Sequence, residues 1–445
     1  MKWRRYPKYK DSGIKWLEEV PVYWNVAPLK RAVDPNRPIT YGIVQCGEDV
    51  TDGIPYIRPV DMTDEGGVSF EKIRRTAPEI AAAYSRSMLA SDDLVVSIGP
   101  SFGKVMIVPS ELAGANLTQG TARIAPARGV NLRYLFWLLR SRNLNEAWDS
   151  VATGATFRAL NLEPLSRTQI CIPPEEEQPQ IATFLDRETA RIDALIETKQ
   201  RQIELLQEKR AALISHAVTK GLDPNVKMKD SGIEWLGQVP EHWDVLPLRR
   251  VIHRFIDYRG KTPTKTESGI PLITAGAIKD GIIDHSLVPE YIAEDDYDEW
   301  MTRGLPEIGD VLLTTEAPLG EVALINDPEI ALAQRIILLK VDPKYMNSTY
   351  LRYYYLADEG RSELLSRASG STASGIRSDR LRMSLVLVPP IEDQLAVTQF
   401  LDAELATLMR PFALIEASIE KLHEYRTALI SAAVTGKIDV REEAA

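Results

Sequence analysis

Two hydrophobic rhythms alternate along this chain, and each alternation occurs twice. Near the C-terminus, apolar residues fall at Leu401, Leu405, Leu408, Phe412, Ile415, Ile419, Leu422, Leu429 and Ala433. The spacing alternates four and three, interrupted only where Arg426 takes a slot. Shifted back by 216 positions, the same slots hold Leu185, Thr189, Ile192, Ile196, Lys199, Ile203, Leu206, Arg210, Leu213 and Ala217. A seam of this kind sustained over several heptads predicts a coiled-coil helix. Each helix of about 38 residues would span roughly 57 Å at 1.5 Å per residue. Two equivalent helices in one chain can bury their seams on each other, and antiparallel pairing would give a pseudo-twofold axis. Pro411 is expected to kink the second helix near its middle, and the Arg210 and Arg426 stems to pack with their heads in solvent. Before each helix, short β-like runs and turn signals replace the helical rhythm: Asp93–Ser97, Lys104–Val108, Val311–Thr315 and Arg335–Val341.

The alternation is a duplication. Lys10–Val33 and Lys229–Ile252 are identical at 14 of 24 positions without gaps, both containing DSGI, two tryptophans and a VP pair. Ile172–Asp186 (IPPEEEQPQIATFLD) matches Val388–Asp402 (VPPIEDQLAVTQFLD), and Arg210–Asp223 matches Arg426–Asp439. Three matches in one order at nearly one offset make a tandem unit of roughly 220 residues, far longer than solenoid repeats. The predicted fold class is α+β: a mixed α/β domain followed by a long helix, twice over. The segments are 1–25 with the first DSGI-W motif, a domain over 26–171, a helix over 172–228, the second motif over 229–244, a domain over 245–387 and a helix over 388–445.

Composition narrows the class. With 445 residues, 44% hydrophobic and 26% charged, the chain is an ordinary globular protein of several domains. No apolar run approaches the length of a membrane span, and the basic start is not followed by a secretory core. Two cysteines, Cys46 and Cys171, form no framework, so a cytoplasmic location is expected. The net charge of −10 gathers in the second half: residues 229–388 carry 18 basic and 25 acidic groups. That excess leaves room for local basic grooves, since phosphate contacts depend on where Lys and Arg are placed.

The repeated DSGI-W-L…VP…W motif, the PP…EQ/DQ…FLD helix openings and the R-ALIS-AVT endings resemble those of the specificity (S) subunits of type I restriction–modification enzymes, over essentially the whole chain. Gly260-Lys261-Thr262-Pro263 and Gly309–Leu313 are similar to family turns and strands, whereas the first half reads DPNRPITYG where GKTP would fall. The resemblance implies two target recognition domains, each reading half of a split site in double-stranded DNA. It implies that the helices set the spacer and hold two methyltransferase (M) subunits, with two restriction/translocase (R) subunits completing the enzyme. It further implies that this chain is not an enzyme and binds no cofactor. S-adenosylmethionine, ATP and Mg2+ would serve adenine methylation and cleavage on the other subunits.

The residues agree that chemistry is missing. No Asn/Asp-Pro-Pro-aromatic loop occurs to hold a target amine. Gly260-Lys261-Thr262 lacks the glycine five positions earlier that a phosphate loop needs, Phe255 standing there. Five histidines make no zinc spacing. Asp310 and Glu321 fail as a nuclease pair because Ala323 occupies the lysine position. Base reading needs Arg, Lys, Gln, Ser or Thr at groove edges, and most other polar contacts go to phosphates. The candidates are Arg58, Lys72, Arg74, Arg75, Gln119, Arg123, Thr156 and Arg158 in the first domain. In the second they are Arg259, Lys261, Thr262, Lys265, Arg335, Arg367, Thr372, Arg377 and Arg380. The Gly-Ser/Thr loops at 154–158 and 370–374 are candidate clasps, an ordinary solvated turn being the alternative. Trp3, Tyr6 and Tyr9, interleaved with Arg4, Arg5 and Lys8, read as a free tail with some capacity to stack on bases. Trp16, Trp24, Trp235 and Trp243 read as packing anchors. Two other classes remain: a helical adaptor without base readout, and a self-contained enzyme such as a fused methyltransferase.

Overall fold

Every strand-like run becomes a strand. In a computed structural model that describes residues 3–99, 102–152, 158–259, 262–288, 290–369 and 375–442, the runs form Leu94–Ser97, Val105–Ile107, Val311–Thr315 and Ile336–Val341. Leu94–Ser97 and Val311–Thr315 are buried at every position, which is why they read as continuous apolar runs and not as alternating ones. The chain divides into two units, residues 1–199 with 417–445, and residues 200–416. Each long helix gives one part to each unit.

Unit 1 contains a four-stranded antiparallel sheet in the order Thr40–Tyr41, Thr121–Ile124, Leu94–Ser97, Val105–Ile107. Beside it lies a three-stranded sheet in the order Arg74–Thr76, Ile54–Ile57, Asn116–Leu117, in which the last pair is parallel. Unit 2 repeats both. Its four-stranded sheet runs Ile252–Asp257, Ile336–Val341, Val311–Thr315, Leu319–Leu324. Its three-stranded sheet runs Tyr291–Ile292, Ile270–Ile273, Ala331–Leu332, again with a parallel last pair. The duplication therefore extends through the mixed domains, where the sequences share little beyond short echoes such as Gly53-Ile54-Pro55 and Gly269-Ile270-Pro271.

Each mixed domain hangs from a two-stranded neck. Asn25–Pro28 pairs antiparallel with Gln169–Ile172, and Asp244–Pro247 with Leu385–Val388. Val26 is the register partner of Cys171, and Val245 of Leu387. The Cys171 thiol is fully buried and pushed up to about 12 by that burial, so it is a packing group.

The long helices span Gln178–Lys220 and Ile391–Val434, 43 and 44 residues, about 65 Å each and longer than the seams alone indicate. Pro411 sits inside the second without ending it. In unit 1 the seam residues Leu185, Ile192 and Ile196 share a core with Leu429, Ile430, Ala433 and Val434. In unit 2 Ile214, Ala217 and Val218 share one with Val397 and Leu401. Towards the helix middles Ile203, Leu206, Phe412 and Ile415 are only half-buried.

The seam arginines depart from expectation. Arg426 does not send its head to solvent: its Nε lies 2.9 Å from Asp193 of the facing helix. Position 409, which corresponds to Asp193 in the second copy, is Met409, so Arg210 finds no carboxylate there. Its guanidinium turns instead to the recognition domain, donating to the Asp280 carbonyl at 3.1 Å. The N-terminus also differs. Tyr6 is 3% exposed, Trp3 Nε1 donates to the Tyr425 hydroxyl at 3.2 Å, and the Tyr9 hydroxyl donates to the Gly436 carbonyl at 3.1 Å. The expected free tail is a packed segment, because its aromatic rings have an apolar helix end to cover.

Candidate nucleic-acid interface

The repeated signatures prove to be the joints that carry each domain on its helices. Asn131 caps the helix Leu132–Leu139, accepting from Tyr134 N at 3.0 Å, and Asn347 caps Ser348–Leu356 in the same way. The Asn131 N–H donates to Gln178 Oε1 at 2.7 Å, and the Asn347 N–H to Gln394 Oε1 at 2.8 Å. Each glutamine amide returns a bond to the Pro-Pro stop, at Pro173 and Pro389. From the same short helices, the buried Tyr134 hydroxyl lies 3.0 Å from the Cys171 carbonyl and 3.2 Å from that of Val434. The Tyr350 hydroxyl donates to the Val218 carbonyl at 2.9 Å. Within each unit one capped helix thus binds the start of one long helix and the end of the other, and the two segments run antiparallel. The aspartate of each FLD signature completes the joint: Asp186 accepts from Trp137 Nε1 at 2.8 Å, and Asp402 from the Tyr353 hydroxyl at 2.5 Å. Trp24 and Trp243 are buried anchors, their ring N–H groups bonded to Glu177 at 3.3 Å and Asp393 at 2.8 Å. Trp16 packs at the edge of the core, and Trp235 is 40% exposed.

The polar groups left for DNA gather at one end of each three-stranded sheet. Because Ile54–Ile57 and Asn116–Leu117 are parallel, Arg58 and Gln119 emerge at the same end. The antiparallel strand Arg74–Thr76 begins there, bringing Lys72 and Arg74. The Arg58 guanidinium donates to the Lys72 carbonyl at 2.7 Å. In unit 2, Thr274 follows Ile270–Ile273, and Gln334 and Arg335 follow Ala331–Leu332. With Thr262 and Lys265 they line a cleft of about 400 Å3. Gln334 Nε2 donates to Thr262 Oγ1 at 2.5 Å. The parallel register makes Gln334 the counterpart of Gln119, a position the sequence candidates omit because the offset there is 215 and the flanking residues differ.

Burial sorts the remaining candidates. Arg123 is 4% exposed and donates to the carbonyls of Arg86, Met88 and Pro38, so it holds the scaffold and cannot reach a groove. Arg58 forks onto the buried carboxylate of Asp61, and Arg367 donates through Nε to one oxygen of the buried Glu363. Arg259 chelates Asp257 at 2.7 Å and bonds the Ile376 carbonyl. All three are spoken for by structure. Lys72, Arg74, Arg75 and Gln119 are exposed. Arg75 donates to the Gly53 carbonyl at 3.0 Å, while Lys72 and Arg74 have no carboxylate partner among the described residues. In unit 2 the exposed cations carry acidic partners: Lys265 with Glu290 at 2.7 Å, Arg335 with Glu316 at 3.2 Å and Arg377 with Asp379 at 3.4 Å. Arg380 donates to the Arg367 carbonyl at 3.3 Å, and Arg158 pairs with Asp149 at 2.7 Å. Exposed pairs of this kind are worth little, so a phosphate can exchange for the carboxylate. Thr156, Lys261 and Thr372, with most of the two Gly-Ser/Thr loops, lie outside the described residues. No group of three or more His, Cys, Asp or Glu side chains able to hold a metal ion occurs among the described residues, and no helix there is long and apolar enough to cross a membrane.

The comparisons with known proteins agree with this layout. The family model described as "Type I restriction modification DNA specificity domain" matches twice, at residues 48–205 and 240–416. A putative type I restriction enzyme specificity subunit of Methanocaldococcus jannaschii is 25% identical over 461 aligned positions, covering 97% of this chain and 98% of that protein. The EcoBI specificity subunit of Escherichia coli is 29% identical over 177 residues, 40% of this chain and 37% of the relative. Among solved structures, a chain from a type I R-M system superposes with a TM-score of 0.65 at 17% identity, covering 93% of this chain and 98% of the other. The HsdS subunit of Thermoanaerobacter tengcongensis does so with a TM-score of 0.52 at 16% identity, covering 94% and 98%. At these identities the structures speak for the fold.

Proposed function

Because the chain belongs to the type I restriction–modification DNA specificity family, we propose that it selects a bipartite site in double-stranded DNA, one half through each recognition domain. The observation that carries this reading is the double occurrence of one site on one scaffold. In each unit, polar side chains collect where two parallel strands end, and the repeated signatures are consumed in holding that domain to the helices. A scaffold without base readout would have no use for two such strand ends: Lys72, Arg74 and Gln119 in one, Thr274, Lys265, Gln334 and Arg335 in the other. Glutamine and arginine can each make two hydrogen bonds to a base edge, to adenine and guanine respectively. Lys72 and Arg74 are suited to phosphates.

The chain supplies specificity and no reaction of its own. Methyl transfer and cleavage belong to partners, two M subunits and two R subunits, which bring S-adenosylmethionine, ATP and Mg2+. The long helices set the spacer between half-sites and carry the M subunits. Co-expression with an M subunit, followed by genome-wide methylation sequencing, tests the reading. The expected result is adenine methylation in a two-part motif, with none from the chain alone. Methyl transfer by the isolated chain, or methylation without a motif, overturns it.

A further inference from the structure

Corresponding surfaces of the two units are covered differently. In unit 1 the first residues of the chain lie over the Trp24 joint. The Tyr6 ring stands edge-on to Trp24, centroids 5.7 Å apart, and its hydroxyl donates to Glu177. The Trp3 ring packs edge-on to Phe184 at 5.0 Å, and Phe184 is 0% exposed. By the repeat offsets, the unit 2 counterparts of Trp24, Glu177 and Phe184 are Trp243, Asp393 and Phe400. Carrying the Lys10/Lys229 offset back, the positions of Trp3 and Tyr6 fall on Leu222 and Asn225, of which Leu222 also matches Ile438 in the Arg210/Arg426 repeat. Neither replacement is aromatic. What remains is a hollow of about 280 Å3 lined in part by Gly221, Leu222, Asp223, His242, Trp243 and Asp393. Leu222 in that lining is 43% exposed, and Phe400, one helical turn beyond the lining residue Ala396, is 36% exposed. The joint is intact, Trp243 Nε1 and His242 Nε2 each standing 2.8 Å from Asp393 Oδ2, but the cover that unit 1 supplies for itself is missing.

We propose that this hollow is a docking site for a partner polypeptide carrying a basic, aromatic segment of the Trp-x-x-Tyr kind, its tyrosine ring against Trp243, its hydroxyl on Asp393 and its second ring on Phe400. The covering segment in unit 1 states the chemistry: aromatic rings at Trp3 and Tyr6 with Arg4 and Arg5 between them. Charge agrees, since the carboxylates of Asp223 and Asp393 line the hollow and the Lys220 ammonium is engaged by the Gln238 carbonyl. A second copy of this chain is a poorer occupant. Its own Tyr6 is buried, and withdrawing it would bare Trp24 and strip the buried Glu177 carboxylate of a donor, at a loss a partner segment does not incur.

The test uses the full chain and a fluorescently labelled peptide of residues 2–10, KWRRYPKYK, as probe. Saturable binding is expected, weakened about tenfold or more when the peptide carries Tyr6→Ala, as loss of a ring contact and a charge-assisted hydrogen bond requires. In the full chain, Phe400→Ser and Ala396→Lys change exposed helix positions. They should weaken binding at least tenfold with circular dichroism and the thermal midpoint unchanged. No saturation up to about 1 mM peptide, or binding that neither variant disturbs, overturns the proposal. So does a concentration-dependent dimer abolished by Tyr6→Ala in the chain, which would put a second copy in the hollow.

Discussion

Polar residues inside this protein are joints, and their energetics follow from how many bonds each makes. Gln394 is 0% exposed and bonds the Asn347 N–H, the Tyr345 carbonyl and the Pro389 carbonyl. At about 1 kcal/mol per bond, Gln394→Ala should destabilise unit 2 by about 3 kcal/mol. That corresponds to a loss of roughly 6–12 °C in its thermal transition, and an unshifted calorimetric profile would contradict the joint. Glu177 behaves differently. Burial raises its carboxyl above the ordinary value of 4.5, outweighing the bonds from Tyr6 and Trp24. A carboxyl raised by folding contributes stability that is complete below its unfolded pKa and is lost as pH rises through the folded one. Glu177→Gln removes that loss: its single oxygen can accept from Trp24 while its amide donates to the Tyr6 hydroxyl, which then serves as acceptor. Thermal melts should therefore show the variant gaining on the parent chain between pH 4 and pH 8. A growing deficit towards pH 8 would show that the ionised carboxylate is a net asset. Little of this was legible beforehand, because the partners lie far apart in sequence: Gln178 is 47 positions from Asn131, and Tyr134 is 300 from Val434. The repeats flagged that these residues matter without saying for what.

Elements were the most readable scale. The heptad seams found both long helices and the apolar runs found the central strands, since period and burial leave direct traces in residue order. The three-stranded sheets were not found. Their strands are two to four residues long, and a pair such as Asn116–Leu117 has no periodicity to detect. The arginine partners were missed for a related reason: one lies across the helix pair and the other in the recognition domain. Helix length also makes a prediction. Four residues inserted after Lys199, where the two units divide, add about 6 Å and slightly more than one turn, so the seam is approximately kept. At 3.4 Å per base pair, the methylated motif should keep both half-sites with a spacer longer by roughly one to two base pairs. Two inserted residues turn the seam by about 200° and should abolish activity. An active four-residue variant with the old spacer would end the ruler interpretation.

At the scale of the whole molecule, the duplication and its class were legible from three motif pairs, but the units are not the sequence repeats. The compact bodies are cut at 199 and 416, so unit 1 is completed by residues 417–445 from the far end of the chain. Repeats follow the order of the gene, whereas cores follow which helix end meets which domain. Exchange of residues 26–171 for the corresponding domain of a relative should alter one half of the methylated motif and leave the other intact. A change in both halves would mean that the domains read DNA jointly. The reason such an exchange should be tolerated lies in the necks. Val26 faces Cys171 and Val245 faces Leu387 across antiparallel strands, so each insert leaves the scaffold beside the point where it arrived, about 5 Å away. The ladder is made of backbone bonds and is indifferent to most side chains. A genetic crossover in the short stretches encoding these strands can therefore deliver a complete reading head with new specificity in one event. The incoming sequence has to match the host over four residues at each side. It has also to bring a capped helix that meets the same helix ends, as Asn131, Tyr134 and Trp137 do here, and the DNA sequence selected then changes while the helical scaffold stays.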